Sequence, residues 1–278
     1  NLNRAGWNIY TTLDVDQNNA AKAAVNAQVP AATDVADIGA VSTSVQAGTG
    51  RILAMALNKD FDETADDATF NNPRSALNLA TDQNRGGSIG FQPGSTFKTF
   101  TLMQWLKDGN GLYDVVNGNE RVEPQSSFTA CGSRLSGAAW DIGNDANERG
   151  NFTVMAATAQ SINGAFASMG EETDLCDTKA LEEAFGLHPS NTEAQAELST
   201  AANPTQIIGV ADLMSPLTMA AAYAGIAADG LYCAPRAIDR IVAADGTELP
   251  VGNPECTQAV EPEVAVATQT ALEGVISN

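Results

Sequence analysis

The chain has 278 residues, 44% of them hydrophobic and 17% charged, enough to bury a sizeable core and too mixed for a collagenous, disordered or membrane-spanning chain. Fourteen Lys and Arg against 34 Asp and Glu leave a formal charge of −20, which repels phosphate backbones and anionic lipid surfaces, so nucleic acid is excluded as a partner. The most apolar 20-residue stretch, from Gly209 to Ala228, contains Asp212 and Pro216 and reads as buried core.

In chain order, residues 1–14 read as the end of a linker. Alanines and valines at helical spacing predict a short amphipathic helix over 16–29, stopped by Pro30. Residues 38–57 predict a hairpin of two largely buried strands around Ala47-Gly-Thr-Gly50. Residues 58–90 are polar and turn-rich. Their acidic run, from Asp60 to Asp67, lacks the sixth-position glycine of a calcium loop, since Ala65 stands there, and reads as solvated.

After Pro93-Gly94, the apolar Phe97, Phe100, Trp105 and Leu106 predict a buried central helix over 95–107, stopped by Gly109. A loop-rich stretch, 110–151, leads into predicted helices at 152–167, 173–185 and 214–228. A second hairpin turns at Asp245-Gly246, and a last helix runs over 263–276. Helices between two hairpins make the chain α+β.

Four cysteines and one histidine, His188, with no Cys-x-x-Cys, argue against zinc. The second hairpin brings Cys233 and Cys256 to nearly opposite places, which predicts a disulfide and an oxidising, extracytoplasmic compartment; two buried thiols are the alternative. Cys131 and Cys176 are left either bridged or reduced. His188 stands in a turn with no nucleophile motif beside it and reads as an exposed loop histidine. Trp105, Trp140 and Tyr223 read as core or rim aromatics.

The chemistry concentrates in Gly94-Ser95-Thr96-Phe97-Lys98. Three residues along a helix put the Ser95 hydroxyl and Lys98 amine on one face, the helix start favours a developing alkoxide, and a neutral lysine can take the serine proton. With 15 serines and 5 lysines in the chain, a chance Ser-x-x-Lys arises roughly a quarter of the time, but this one opens a buried helix where a lysine has no structural reason to be.

Thr11-Thr-Leu-Asp14, Gly50-Arg-Ile-Leu-Ala-Met55, Phe91-Gln-Pro-Gly-Ser-Thr-Phe-Lys98, Ser161-Ile-Asn163 and Ser215-Pro-Leu-Thr-Met-Ala220 resemble, in order, the transpeptidase domain of penicillin-binding proteins. The opening Ile9-Tyr-Thr-Thr-Leu-Asp14 and the Gln92-Pro-Gly-Ser-Thr-Phe-Lys98 form are most similar to bifunctional class A members, and the expected Cys233–Cys256 bridge suggests an actinobacterial type. The resemblance implies a penicillin-recognising serine acyltransferase fold, with a central antiparallel sheet flanked by helices. It implies Ser95 as the acylated nucleophile, Lys98 as its base, and Ser161 and Asn163 as the second motif, which shuttles a proton and holds the substrate amide; that Ser161 and Asn163 only cap or turn the chain after Thr158-Ala-Gln160 is the alternative. The function implied is D,D-transpeptidation of peptidoglycan stem peptides, blocked by β-lactams, with no metal or cofactor. A carboxypeptidase or β-lactamase-like hydrolase, and a non-catalytic cell-wall binding or β-lactam-sensing module, are the alternatives.

The family's third motif, Lys-Thr/Ser-Gly, is absent from these residues. The expectation is therefore a transpeptidase domain over 15–278 that stops before its C-terminal strands, those strands being supplied by a separate chain left by a cut; a truncated chain is the alternative. An upstream glycosyltransferase domain and a membrane anchor are expected to precede it and to hold it on the outer face of the bacterial membrane.

Overall fold

The computed structural model describes residues 6–34, 36–67, 69–191, 197–252 and 255–277; the first five residues of the expected linker, and Asn278, lie outside them. Seven helices are described: α1 (Val15–Gln28), α2 (Lys98–Lys107), α3 (Val154–Ala159), α4 (Asn163–Glu172), α5 (Leu175–Ala184), α6 (Pro216–Ile226) and α7 (Pro262–Ser277). Around them run short strands, of which β1 (Asn8–Thr11), β2 (Val41–Val45) and β3 (Ile52–Leu57) matter most here.

β2 and β3 form the predicted antiparallel hairpin, Val41 opposite Leu57, although only β3 is largely buried. β1, at the expected end of a linker, pairs antiparallel with Ile238–Val242, which pairs in turn with Glu248–Leu249 across the predicted turn. Thr12, just beyond, is 1% exposed, and its hydroxyl donates to the carbonyls of Ile52, at 2.7 Å, and Arg236, at 3.0 Å. Leu231–Cys233 lies against Cys256–Gln258 with Cys233 opposite Cys256, and the two are bridged. Cys131 and Cys176 form the second disulfide.

The described strands form one three-stranded sheet, β1 with Ile238–Val242 and Glu248–Leu249, and six two-stranded ladders, of which β2–β3 is the longest. Helix α1 has no fully buried residue; it rests on β3 through half-buried Asn18, Ala21 and Val25, with Ala20, Ala23, Ala24 and Ala27 exposed. Residues 110–151 are not simply loop: Val115–Asn117 pairs with Asn151–Thr153, and Arg121–Glu123 with Trp140–Ile142.

Two hydrophobic clusters flank α2. Leu102 and Trp105 join Phe128, Phe166 and Met169 on one side, while Phe97, Phe100 and Met103 join Phe185, Met214 and Ile226 on the other. A helix packed on both flanks has no solvent face to give its polar residues, and every residue from Lys98 to Trp105 is buried.

Candidate active site

Gly94–Phe97 forms a 3-10 turn that runs directly into α2 at Lys98, so the predicted helix start is a tighter turn than an α-helix. Ser95 is exposed on this turn. Lys98 is 3% exposed, because the flanking clusters close over the first turn of α2.

The predicted helix over 152–167 is two helices. α3 ends at Ala159 and α4 begins at Asn163; between them Ser161 takes φ +55°, a left-handed conformation a serine adopts only when its surroundings hold it there. Ser161 N–H donates to the Thr158 carbonyl at 3.1 Å, and the reversed backbone aims both Ser161 oxygens at the lysine. Lys98 Nζ donates to the Ser161 carbonyl at 2.5 Å and to Ser161 Oγ at 3.0 Å.

These side chains open on one cleft of about 460 Å³, lined by Ser95, Thr96, Lys98, Ser161, Phe166 and Tyr223. Its far wall is apolar, made by Leu272, Val275 and Ile276 of α7, with Val275 51% and Ile276 90% exposed. Burial pushes the Lys98 ammonium down to about 8, against the opposing pull of Asp145 and Glu148. The Phe166 ring, 5.4 Å from Nζ, still favours the cation. Asp145 and Glu148 therefore favour the charged lysine and burial the neutral one, and burial has the larger effect.

Asn163 has a backbone partner in the loop before α3. It opens α4, but its amide donates to the Gly143 carbonyl at 2.7 Å, and it is not among the residues lining the cleft. Beside it Gly164 N–H donates to Asn144 Oδ1 at 3.0 Å. Together the two bonds dock the loop that carries Asp145 and Glu148.

Residue-by-residue reading of the sequence did not single out Tyr223, Phe166, Asp145 or Glu148 for the site. The one available signal was a tyrosine in an alanine-rich helix, between Ala222 and Ala224. His188 lies away from this cleft. It is half exposed, as expected of a loop histidine, but paired: Nε2 lies 3.2 Å from Asp82 Oδ2 and Nδ1 2.7 Å from the Gly186 carbonyl. Both partners accept only, and Asp82 holds the imidazole above its usual range.

Residues 41–276 match the family described as penicillin binding protein transpeptidase domain. The chain belongs to that family. Over 252 residues this transpeptidase domain is 29% identical to the peptidoglycan D,D-transpeptidase PbpA of Mycolicibacterium smegmatis, covering 82% of this chain and 49% of the relative. The domain thus spans about half the length of that curated relative. Its fold matches PBPA of Mycobacterium tuberculosis with a TM-score of 0.73 at 21% identity, over 98% of this chain and 63% of that one. PonA1 of the same organism matches with 0.72 at 21% identity, over 97% and 63%. Penicillin-binding protein A of M. tuberculosis in its imipenem acyl-enzyme complex matches with 0.72 at 20% identity, over 97% and 63%.

Proposed function

We propose that this domain is a serine-type D,D-transpeptidase that cross-links peptidoglycan stem peptides and is acylated by β-lactams. The observation that carries the reading is Lys98: a 3% exposed lysine held to about 8, bonded to Ser161 in the cleft that Ser95 lines.

In this reading Ser95 Oγ attacks the penultimate D-Ala carbonyl and its proton passes to neutral Lys98. A C–O bond forms, the C–N bond breaks, and the proton returns through Ser161 to the departing D-Ala amine. An amine of a neighbouring stem then attacks the ester, forming the cross-link and returning Ser95 to its hydroxyl. Asn163, at the start of α4, is assigned to the substrate amide; its reach requires release from Gly143. A β-lactam follows the first half of this path, and its tethered leaving group keeps the ester from being resolved. The substrate places the domain outside the cytoplasmic membrane, where both disulfides persist.

The reading also calls for a Lys-Thr/Ser-Gly strand against the cleft, to supply a second oxyanion N–H and a contact for the substrate carboxylate. The exposed Val275 and Ile276 on the cleft wall support apolar packing of such a strand there.

Intact-mass spectrometry after treatment with penicillin tests the assignment. A single adduct, lost in Ser95→Ala, is expected; an adduct that survives this substitution rejects it. Faster turnover of the acyl-enzyme with an added amine than with water alone separates transfer from hydrolysis.

A further inference from the structure

Ser95 lies between two backbone groups that are tied down from outside its own helix. Gly94, the residue before it, donates its N–H to the Gly209 carbonyl at 3.1 Å. Thr96, the residue after it, accepts at its carbonyl the proton of the Tyr223 hydroxyl at 2.7 Å. That commits the Tyr223 proton, so the 2.8 Å contact between Tyr223 Oη and Thr99 Oγ1 has Thr99 as donor. The tyrosine hydroxyl is fully used, once giving and once receiving, and is left with no proton for the reaction.

The turn needs these ties. It is a 3-10 segment of four residues, a geometry with poor internal hydrogen bonds, and its first residues fall where a helix leaves N–H groups without intrahelical partners. Gly94 takes φ +57° with nothing within 4 Å of where a side chain would begin, so its own packing does not fix it. The approach from the other side is close. A Cβ at Gly209, which takes φ +70°, would lie 2.3 Å from the Gly94 oxygen and 2.7 Å from its nitrogen, so only glycine lets that loop reach the turn.

We infer that Tyr223 and Gly209 are positioning residues, a two-sided clamp that holds the Ser95 turn in register with Lys98 and Ser161. The inference rests on the reading of Ser95 as the nucleophile. One jaw comes from α6 and the other from the loop after Pro204–Ile208, so the nucleophile is located by chain that follows it by more than a hundred residues. Displacements of about 1 Å in a reacting group cost on the order of a hundredfold in rate, which is the scale on which the clamp acts.

Tyr223→Phe in the full-length protein is the test, because it keeps the ring in its place against the core and removes only the hydroxyl. The first-order acylation rate at saturating penicillin is expected to fall by roughly 10- to 100-fold. The penicillin concentration for half-saturation and the pH at which the rate turns over are expected to stay within twofold and within half a unit, since Lys98 keeps its surroundings. Tyr232→Phe, the same change beside His188 and away from the cleft, is expected to leave the rate unaltered. An unchanged acylation rate in Tyr223→Phe, with normal wild-type labelling at Ser95, overturns the clamp alone. Wild-type protein that is not labelled at Ser95 overturns the nucleophile reading and the clamp with it.

Discussion

At the scale of the residue, Lys98 is where stability and chemistry oppose each other. Burial lowers it from 10.5 to about 8, a difference of about 3 kcal/mol between its charged and neutral forms. In the unfolded chain the amine stays protonated up to 10.5, so between 8 and 10.5 the unfolded state holds more protons and the fold gains stability as pH rises. Lys98→Met, which fills the same space without charge, is expected to stabilise the protein by roughly 1–3 kcal/mol below pH 8. The gain should shrink across 8 to 10.5 and vanish above, as thermal melts over that pH series will read. The same proton sets the rate: acylation by penicillin should climb about tenfold per pH unit below 8 and level off above it, and a flat profile through that range would remove Lys98 as the base. That Ser95 and Lys98 line one cleft was legible from their three-residue spacing. The downward shift was legible in direction, from a lysine among phenylalanines. The acidic pair that resists it was not, since Asp145 and Glu148 sit in a loop with no period to place them.

At the scale of the element, the instructive case is the break between α3 and α4. Periodicity carries one apolar stripe straight through residues 152–167, and the sequence offers no proline or glycine at 160–162 to interrupt it. The break is made by tertiary contact: Ser161 is held in its left-handed state by a lysine 63 residues earlier. A local pattern cannot register a partner that distant. The hairpins and α2 were legible because their periods of 2 and 3.6 are local. The three-residue strands within 110–151 were not, being too short to show a period. Substitution at 161 separates the conformation from the hydroxyl. Ser161→Gly removes the hydroxyl and suits φ +55°, whereas Ser161→Ala removes the same group and keeps a Cβ. Both are expected to lose acylation activity by at least tenfold, while denaturant titration should find the glycine variant about 1 kcal/mol the more stable of the two. Equal stability would mean that the turn is not strained.

At the scale of the whole molecule, family membership was legible from five short motifs in order, and the central sheet expected from it is represented by the β2–β3 hairpin. A strand carrying Lys-Thr/Ser-Gly, supplied as a separate polypeptide, is expected to speed acylation of this chain by at least about a hundredfold, the usual effect of restoring one oxyanion donor. Timed mass spectra with and without that polypeptide will measure it, and equal rates would refute the placement. The joint at Thr12 has a consequence of a different kind. Its hydroxyl ties together residues 12, 52 and 236, and among the described strands β1 beside it pairs with 238–242 alone. A ribosome adding about 5–20 residues per second puts roughly 10–50 s between the emergence of Thr12 and that of Arg236. Throughout that interval the 238–242 partner of β1 has not yet been made, so β1 is among the last of the described elements to pair.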